Sequence, residues 1–404
     1  MSQKGYVFKQ GGQWYLRYRD DFLVDGKIVR KQKCVQLAEV CDRYRRESDL
    51  ADLVEEKLAG VKAAAKCPQA CNLFSDYVET VWLPHIQSTR KPSTYAGYRS
   101  YFQRYIKPFA EKENYAIRDF NVAIVSSLLK DVASMYKVNR DTILKIHSVL
   151  SGIFMYALAT GAFPGKSATD NPCTGALIPK GKPKQETVAA SREVVKALLS
   201  HLAEQGMTLE RTAVGIAAFT GCRPAEIRGL RWEEWDRAAA QIQVVRNVWH
   251  AVEGTLKTVE SNACVAVTSE LHQILLDLHE DQGSPIRGYI LARADGGRVN
   301  LDNMAKRDIV PSLNRCAVCH KMESEHAKAG HQFSRDETLP RWTGWYSFRR
   351  FHATAIRKES GNSDTMARAL RNTKEVATAY YLKSTEVLPD VRKAVDAAMA
   401  GLVN

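Results

Sequence analysis

Three separated stretches in the second half of the chain carry side chains suited to one phosphate-handling site. The first runs from Thr220 to Asp236 and places Arg223 at a glycine-delimited turn, with Pro224 at the favourable first position of a following helix. A guanidinium fixed at such a turn presents a planar fork to a phosphate, with helical N–H groups beside it. The second, Leu256 to Val267, is hairpin-like and could hold Lys257 over a groove. The third contains Tyr346 and Arg349 in Trp345 to Thr354, then Asn372 in Ala369 to Thr373, then the adjacent Tyr380 and Tyr381. A fourth cluster is of a different kind: Cys316 and Cys319, with two residues between them, followed by His326 and His331. Two thiolates and two imidazoles at that spacing can close a tetrahedral structural zinc site, and free thiols in a surface insertion are the alternative.

These residues need elements to hold them. With 404 residues, two or three domains are expected, and 45% hydrophobic with 25% charged residues is the composition of an ordinary folded protein. Fifty-eight Lys and Arg against 45 Asp and Glu give a formal charge of +13, which points toward phosphate-bearing partners. No apolar run approaches the roughly 18 residues of a membrane span, and the first residues lack a signal peptide's apolar core. A cytoplasmic protein with no membrane partner is expected. The nine cysteines then read as reduced thiols or metal ligands, not a disulfide framework.

Period-two alternation over Tyr6 to Phe8, Trp14 to Arg19 and Lys27 to Leu37, with turns at Gly11-Gly12 and Asp25-Gly26, predicts a small three-stranded sheet. Residues 1–33 hold eight Lys and Arg against three acidic residues, with aromatics between them, which suits a groove-reading ribbon or a plain solvated face. A helix-rich, charge-mixed stretch follows from Ala38 to Ala65, making residues 1–66 one domain. Residues 73–175 read as an all-helical domain: Ser93-Thr94 can cap a helix bearing Tyr95, Tyr98, Phe102 and Ile106, and a second helix runs from Asp141 to Thr160. Pro, Gly and Lys at 176–186 predict an extended basic linker. Residues 187–404 form a mixed unit with the Cys and His insertion at 315–335.

At this point the chain resembles the tyrosine recombinase or phage integrase family over nearly its whole length. Its first arginine motif corresponds to Thr220 through Leu230, which makes Arg223 the counterpart of its first arginine, with Glu226 a supporting residue. The family's hairpin lysine falls on Lys257, its His-x-x-Arg helix start on Tyr346 to Arg349, its Gly-His pair on Arg371-Asn372, and its nucleophile, nine residues on, on Tyr381. The resemblance implies a multidomain, mainly α fold with small β sheets: an arm-type DNA-binding sheet, a helical SAM-like core-binding domain and a DNA breaking-rejoining catalytic domain. It also implies double-stranded DNA attachment sites as partners, a homotetramer on DNA, no catalytic cofactor, and a setting at the nucleoid of a prokaryote or phage, often in a mobile genetic element.

That chemistry accounts for the residue types. A tyrosine phenolate can attack phosphorus and stay bonded as a 3′-phosphotyrosine, conserving the bond's energy for rejoining. Two arginines are suited to clamp the nonbridging oxygens as charge builds, and Lys257 can protonate the leaving 5′ oxygen. Tyr346 and Asn372 depart from the family's His positions. Both donate hydrogen bonds, but neither titrates near neutral pH. His352 lies six residues beyond Tyr346, about 600° round the same helix, so it does not replace it. The sequence therefore supports a site-specific recombinase or integrase first, and a catalytically impaired integrase-like DNA-binding protein second. A type IB topoisomerase is less suited, because the N-terminal sheet looks like an arm-site reader.

Overall fold

A computed structural model describes residues 5–24, 27–64, 68–165, 167–183, 188–249, 252–254, 263–328, 330–372 and 375. It is mainly helical with small sheets, and divides into two compact units, Met1–Gln185 and Glu186–Asn404. The N-terminal sheet and the helical region, read from sequence as two domains, share the first unit.

That unit opens with an antiparallel sheet in the order β1 (Tyr6–Gln10), β2 (Gln13–Val24), β3 (Lys27–Glu39). Alternation along β2 turns Leu16 and Tyr18 onto Leu58 of the Ala51–Ala64 helix, and leaves Arg17 and Arg19 exposed. On the outward face Tyr6, Phe8 and Tyr15 stack in a ladder, with ring centroids 5.9 and 5.6 Å apart, and the Arg17 guanidinium lies over Phe8 at 4.9 Å. The inward Asp20 is buried and receives a hydrogen bond from Arg118 of the helical region, while Lys33 reaches Asp119 at 3.2 Å. These ion pairs join sheet and helices.

Four expectations differ from the structure of this unit. The stretch expected to be helix-rich from Ala38 has its α-helix only from Ala51, because β3 continues to Glu39 opposite Gln13 and residues 40–46 turn, with Trp14 Nε1 donating to the Tyr44 carbonyl at 2.8 Å. The helix expected to be capped by Ser93-Thr94 is Pro92–Tyr101, its start set by the proline at the first position. The Arg140–Ala159 helix, capped by the Asn139 side chain, does have the length and hydropathy of a membrane span. Within this unit its Ile143, Ile146, Leu150, Ile153 and Phe154 are buried in the helical core. Of the expected linker, Ala176 and Ile178 pack on that core and Lys182 N–H donates to the Val138 carbonyl at 2.8 Å.

The second unit packs the Arg192–Glu204, Thr208–Thr220, Ser269–Asp281 and Trp345–Ser360 helices around Leu198, Ile216, Leu271, Leu275 and Phe348. A sheet in the order β4 (Trp235–Asp236), β5 (Gln241–Val244), β8 (Ala263–Ala266) adds Ile242 and Val244 to this core. β6 (Asn247–Trp249) and β7 (Val252–Gly254) form a separate hairpin. Lys257 follows β7 and lies outside the described residues, as do Tyr380 and Tyr381.

Candidate active site and metal cluster

The Thr208–Thr220 helix ends at Gly221, whose φ of 59° is the left-handed conformation that closes a helix C-terminus and suits glycine. The chain reverses there, and Arg223 becomes the residue preceding the short Pro224–Ile227 helix. Glu226, 2% exposed, holds the turn: its Oε2 accepts from the Arg223 backbone N–H at 2.9 Å and its Oε1 from Arg223 Nη1 at 2.6 Å. The first of these bonds is the carboxylate half of a helix-start box, and the second uses the same carboxylate to orient a guanidinium. The other terminal nitrogen of Arg223, Nη2, donates to Asn372 Oδ1.

Arg349 sits on the Trp345–Ser360 helix, which is anchored by Trp345 Nε1 donating to the Leu301 carbonyl at 3.0 Å. It is fully buried, with Nη1 donating to the Gly221 carbonyl and Nη2 to the Leu370 carbonyl at 2.7 Å. Arg349 thus ties the Arg223 turn to the segment that ends in Asn372. Tyr346, on the same helix, is half-exposed and lines an open groove with Pro224, Ala225, Trp249 and Trp342. The structure therefore brings Arg223, Arg349 and Asn372 into one bonded cluster and leaves Tyr346 on the surface next to it.

Two members of the cluster were not picked out as functional from sequence. Arg371 is buried, with Nη2 donating to Glu226 Oε2 at 2.7 Å and lying 3.5 Å from Cys222 Sγ. Its signal was an arginine where the family resemblance puts glycine. His352 packs beneath the Gly221 turn and donates from Nδ1 to the Ala218 carbonyl at 3.2 Å, since a carbonyl can only accept. Burial pushes its imidazole down to about 4, against that hydrogen bond, and the nearby Arg349 and Arg371 charges add to the shift. It is a neutral prop under the site, and its spacing alone carried no sign of this.

The Cys and His cluster assembles as well. The ligand atoms of Cys316, Cys319, His326 and His331 all lie within 4.8 Å of one another. His326 Nε2 is 3.1 Å from His331 Nε2, which is 3.3 Å from Cys316 Sγ. Zn–N bonds of about 2.0 Å and Zn–S bonds of about 2.3 Å give tetrahedral edges of roughly 3.3 Å between nitrogens and 3.5 Å between nitrogen and sulfur. The observed separations are close to these. His320 takes a left-handed φ of 56° to close the knuckle, donating its N–H to the Cys316 carbonyl at 2.9 Å. Burial raises the Cys316 thiol, but the backbone around Cys319, Ser334 and Val318 and the His331 ring outweigh it and bring it down to about 5, favouring the ligating thiolate.

No family model matches the chain. Over 360 residues it is 24% identical to a tyrosine recombinase XerC-like protein of Caldanaerobacter subterraneus subsp. tengcongensis, covering 80% of this chain and 85% of that protein. Its fold is similar to that of the Tn1549 transposon integrase in complex with transposon right end DNA, with a TM-score of 0.57 at 13% identity, covering 80% of this chain and 99% of that one. It is also similar to a lambda integrase dimer bound to a COC′ core site, with a TM-score of 0.53 at 15% identity over 94% and 96% of the two chains. A lambda integrase tetramer bound to a Holliday junction gives 0.51 at 13% identity over 95% and 96%. The chain therefore has the tyrosine integrase fold, and its resemblance to the tyrosine recombinase and integrase family holds in sequence and in structure alike.

Proposed function

We propose that this protein is a site-specific DNA recombinase or integrase that cuts and rejoins DNA through a 3′-phosphotyrosine at Tyr381. The observation that carries the reading is the Arg223–Glu226–Asn372–Arg349 cluster, in which guanidiniums from two distant segments are fixed around one turn before any substrate arrives. Donors fixed in advance are worth most where charge develops during the reaction. In the proposed step the Tyr381 phenolate oxygen bonds to phosphorus, the bond to the 5′ oxygen breaks, and Lys257 supplies that oxygen's proton. Asn372 donates to the phosphate in the place of the family's histidine. Double-stranded attachment sites are the substrate and a tetramer on DNA is the working assembly, as in the lambda integrase complexes. The Tyr6, Phe8, Tyr15 and Arg17 face of the N-terminal sheet suits the arm-site reader.

The test is a nicked suicide substrate carrying the attachment sequence. A covalent protein–DNA band is expected, and Tyr381→Phe abolishes it. A wild-type protein that binds the DNA and forms no band would favour the second reading, a DNA-binding protein that has lost cleavage, for which Tyr346 and Asn372 at His positions are the grounds. A band that survives Tyr381→Phe would move the nucleophile elsewhere.

The Cys316, Cys319, His326 and His331 cluster is proposed to hold one structural zinc. The donor set, its clustering within 4.8 Å and the two short ligand separations support this. Metal analysis is expected to return one equivalent, lost in the Cys316→Ser, Cys319→Ser protein; zinc-free wild type would refute it.

A further inference from the structure

The position that the family resemblance assigns to glycine is filled by Arg371, and its backbone keeps a glycine-like φ of 53°. An L side chain is disfavoured there, so the arginine is retained against a local cost. Its guanidinium side chain is 4% exposed and lies on Glu226 Oε2, the oxygen that also accepts the Arg223 backbone N–H. Glu226 therefore divides itself between two arginines, Oε1 to Arg223 and Oε2 to Arg371. An arginine and a carboxylate left to themselves pair fork to fork through both oxygens. Arg371 occupies the second oxygen and blocks that arrangement, which keeps Arg223 Nη2 turned to Asn372 Oδ1. With its oxygen held, the Asn372 amide has one orientation. Its Nδ2 has no hydrogen-bond partner among the described residues, and neither do Nε and Nη1 of Arg371.

We infer that Arg371 is a positioning residue for strand cleavage: by taking one oxygen of Glu226 it prevents Arg223 from closing on the carboxylate, and so keeps Arg223 and the Asn372 amide set for the scissile phosphate. The inference rests on the recombinase reading and specifies how that site is held. Arg371→Gly suits the left-handed backbone and removes the whole side chain with its guanidinium, after which Arg223 closes on Glu226 through both nitrogens. Misplacement of a positioned group by about an ångström can cost on the order of 100-fold in rate.

The experiment measures single-turnover covalent-complex formation on the suicide substrate at a series of DNA concentrations, for full-length wild type, Arg371→Gly and Arg371→Lys, with thermal melts of each. The expected result is a rate at saturating DNA reduced 10- to 100-fold in Arg371→Gly, a half-saturating DNA concentration within twofold of wild type, and recovery to within about fivefold in Arg371→Lys. Arg371→Gly cleaving within twofold of wild type overturns the inference while leaving the recombinase reading intact. Equal losses in both variants, matched by lowered melting or weakened DNA binding, also overturn it, because the residue is then only structural. If Arg371→Gly does not fold, Arg371→Lys and Arg371→Gln decide, with Lys expected to cleave at least tenfold faster than Gln and equal rates overturning the inference. A wild type that binds this DNA and forms no covalent complex fails the recombinase reading, and the inference falls with it.

Discussion

The His352 prop makes the second unit acid-sensitive in a way that can be isolated. An imidazole held at about 4 in the folded chain and at 6.5 in the unfolded one binds its proton more readily when unfolded throughout that interval. Stability from this residue is therefore fully present above pH 6.5 and is lost progressively as the pH falls toward 4. The shift of 2.5 units, at about 1.36 kcal/mol each, amounts to roughly 3 kcal/mol across the whole window and about 2 kcal/mol by pH 5. His352→Gln keeps a side-chain N–H for the Ala218 carbonyl and has nothing to titrate. Thermal melts of wild type and His352→Gln at pH 7.5 and pH 5 should show wild type losing more, by about 4–8 °C for a unit of this size. A proton NMR titration of the His352 ring should find its midpoint near 4, and cleavage between pH 6 and 8 should keep its pH profile in the variant. A ring that titrates near 6.5, or parallel pH dependences of melting, would refute the burial argument.

Two further perturbations probe the scaffold. Gly221→Ala forces a side chain into φ 59° and puts Cβ 2.6 Å from His352 Cδ2, so a loss of about 2–4 kcal/mol is expected in urea unfolding, with slowed cleavage because Arg349 donates to that same residue's carbonyl. In the first unit, Asp20→Ala takes the carboxylate from the buried Arg118 guanidinium and should cost about 3–5 kcal/mol, whereas Asp20→Leu with Arg118→Met should be far milder; equal losses from the single and double changes would show that packing, not charge, holds the sheet to the helices.

The parts of the site legible in the sequence are those fixed by local chemistry. Pro224 at a helix start, glycine at 221 and an acidic residue three positions after Arg223 predict the turn from nearest neighbours alone, and the turn is there. The strand alternation of residues 6–37 is local in the same sense, since Leu16 and Tyr18 are inward because Arg17 and Arg19 are outward. What escaped the sequence is set by contacts between distant segments. Nothing in the period of the Trp345–Ser360 helix says that His352 meets the Ala218 carbonyl 134 residues away, so its rotation relative to Tyr346 answered the wrong question. Arg371 was hidden for a related reason: its partner Glu226 is 145 residues distant, and its left-handed backbone is one that propensity assigns to glycine. A side chain kept where the backbone disfavours it, in a segment bonded to both site arginines, is a local conflict that the rest of the fold resolves. The left-handed backbone alone is not the sign, since Asn114, Lys137, Ala240 and Ser284 share it; what sets Arg371 apart is its bond to Glu226 beside both arginines. In this chain, then, the residue that breaks the family pattern is as informative about the site as those that keep it.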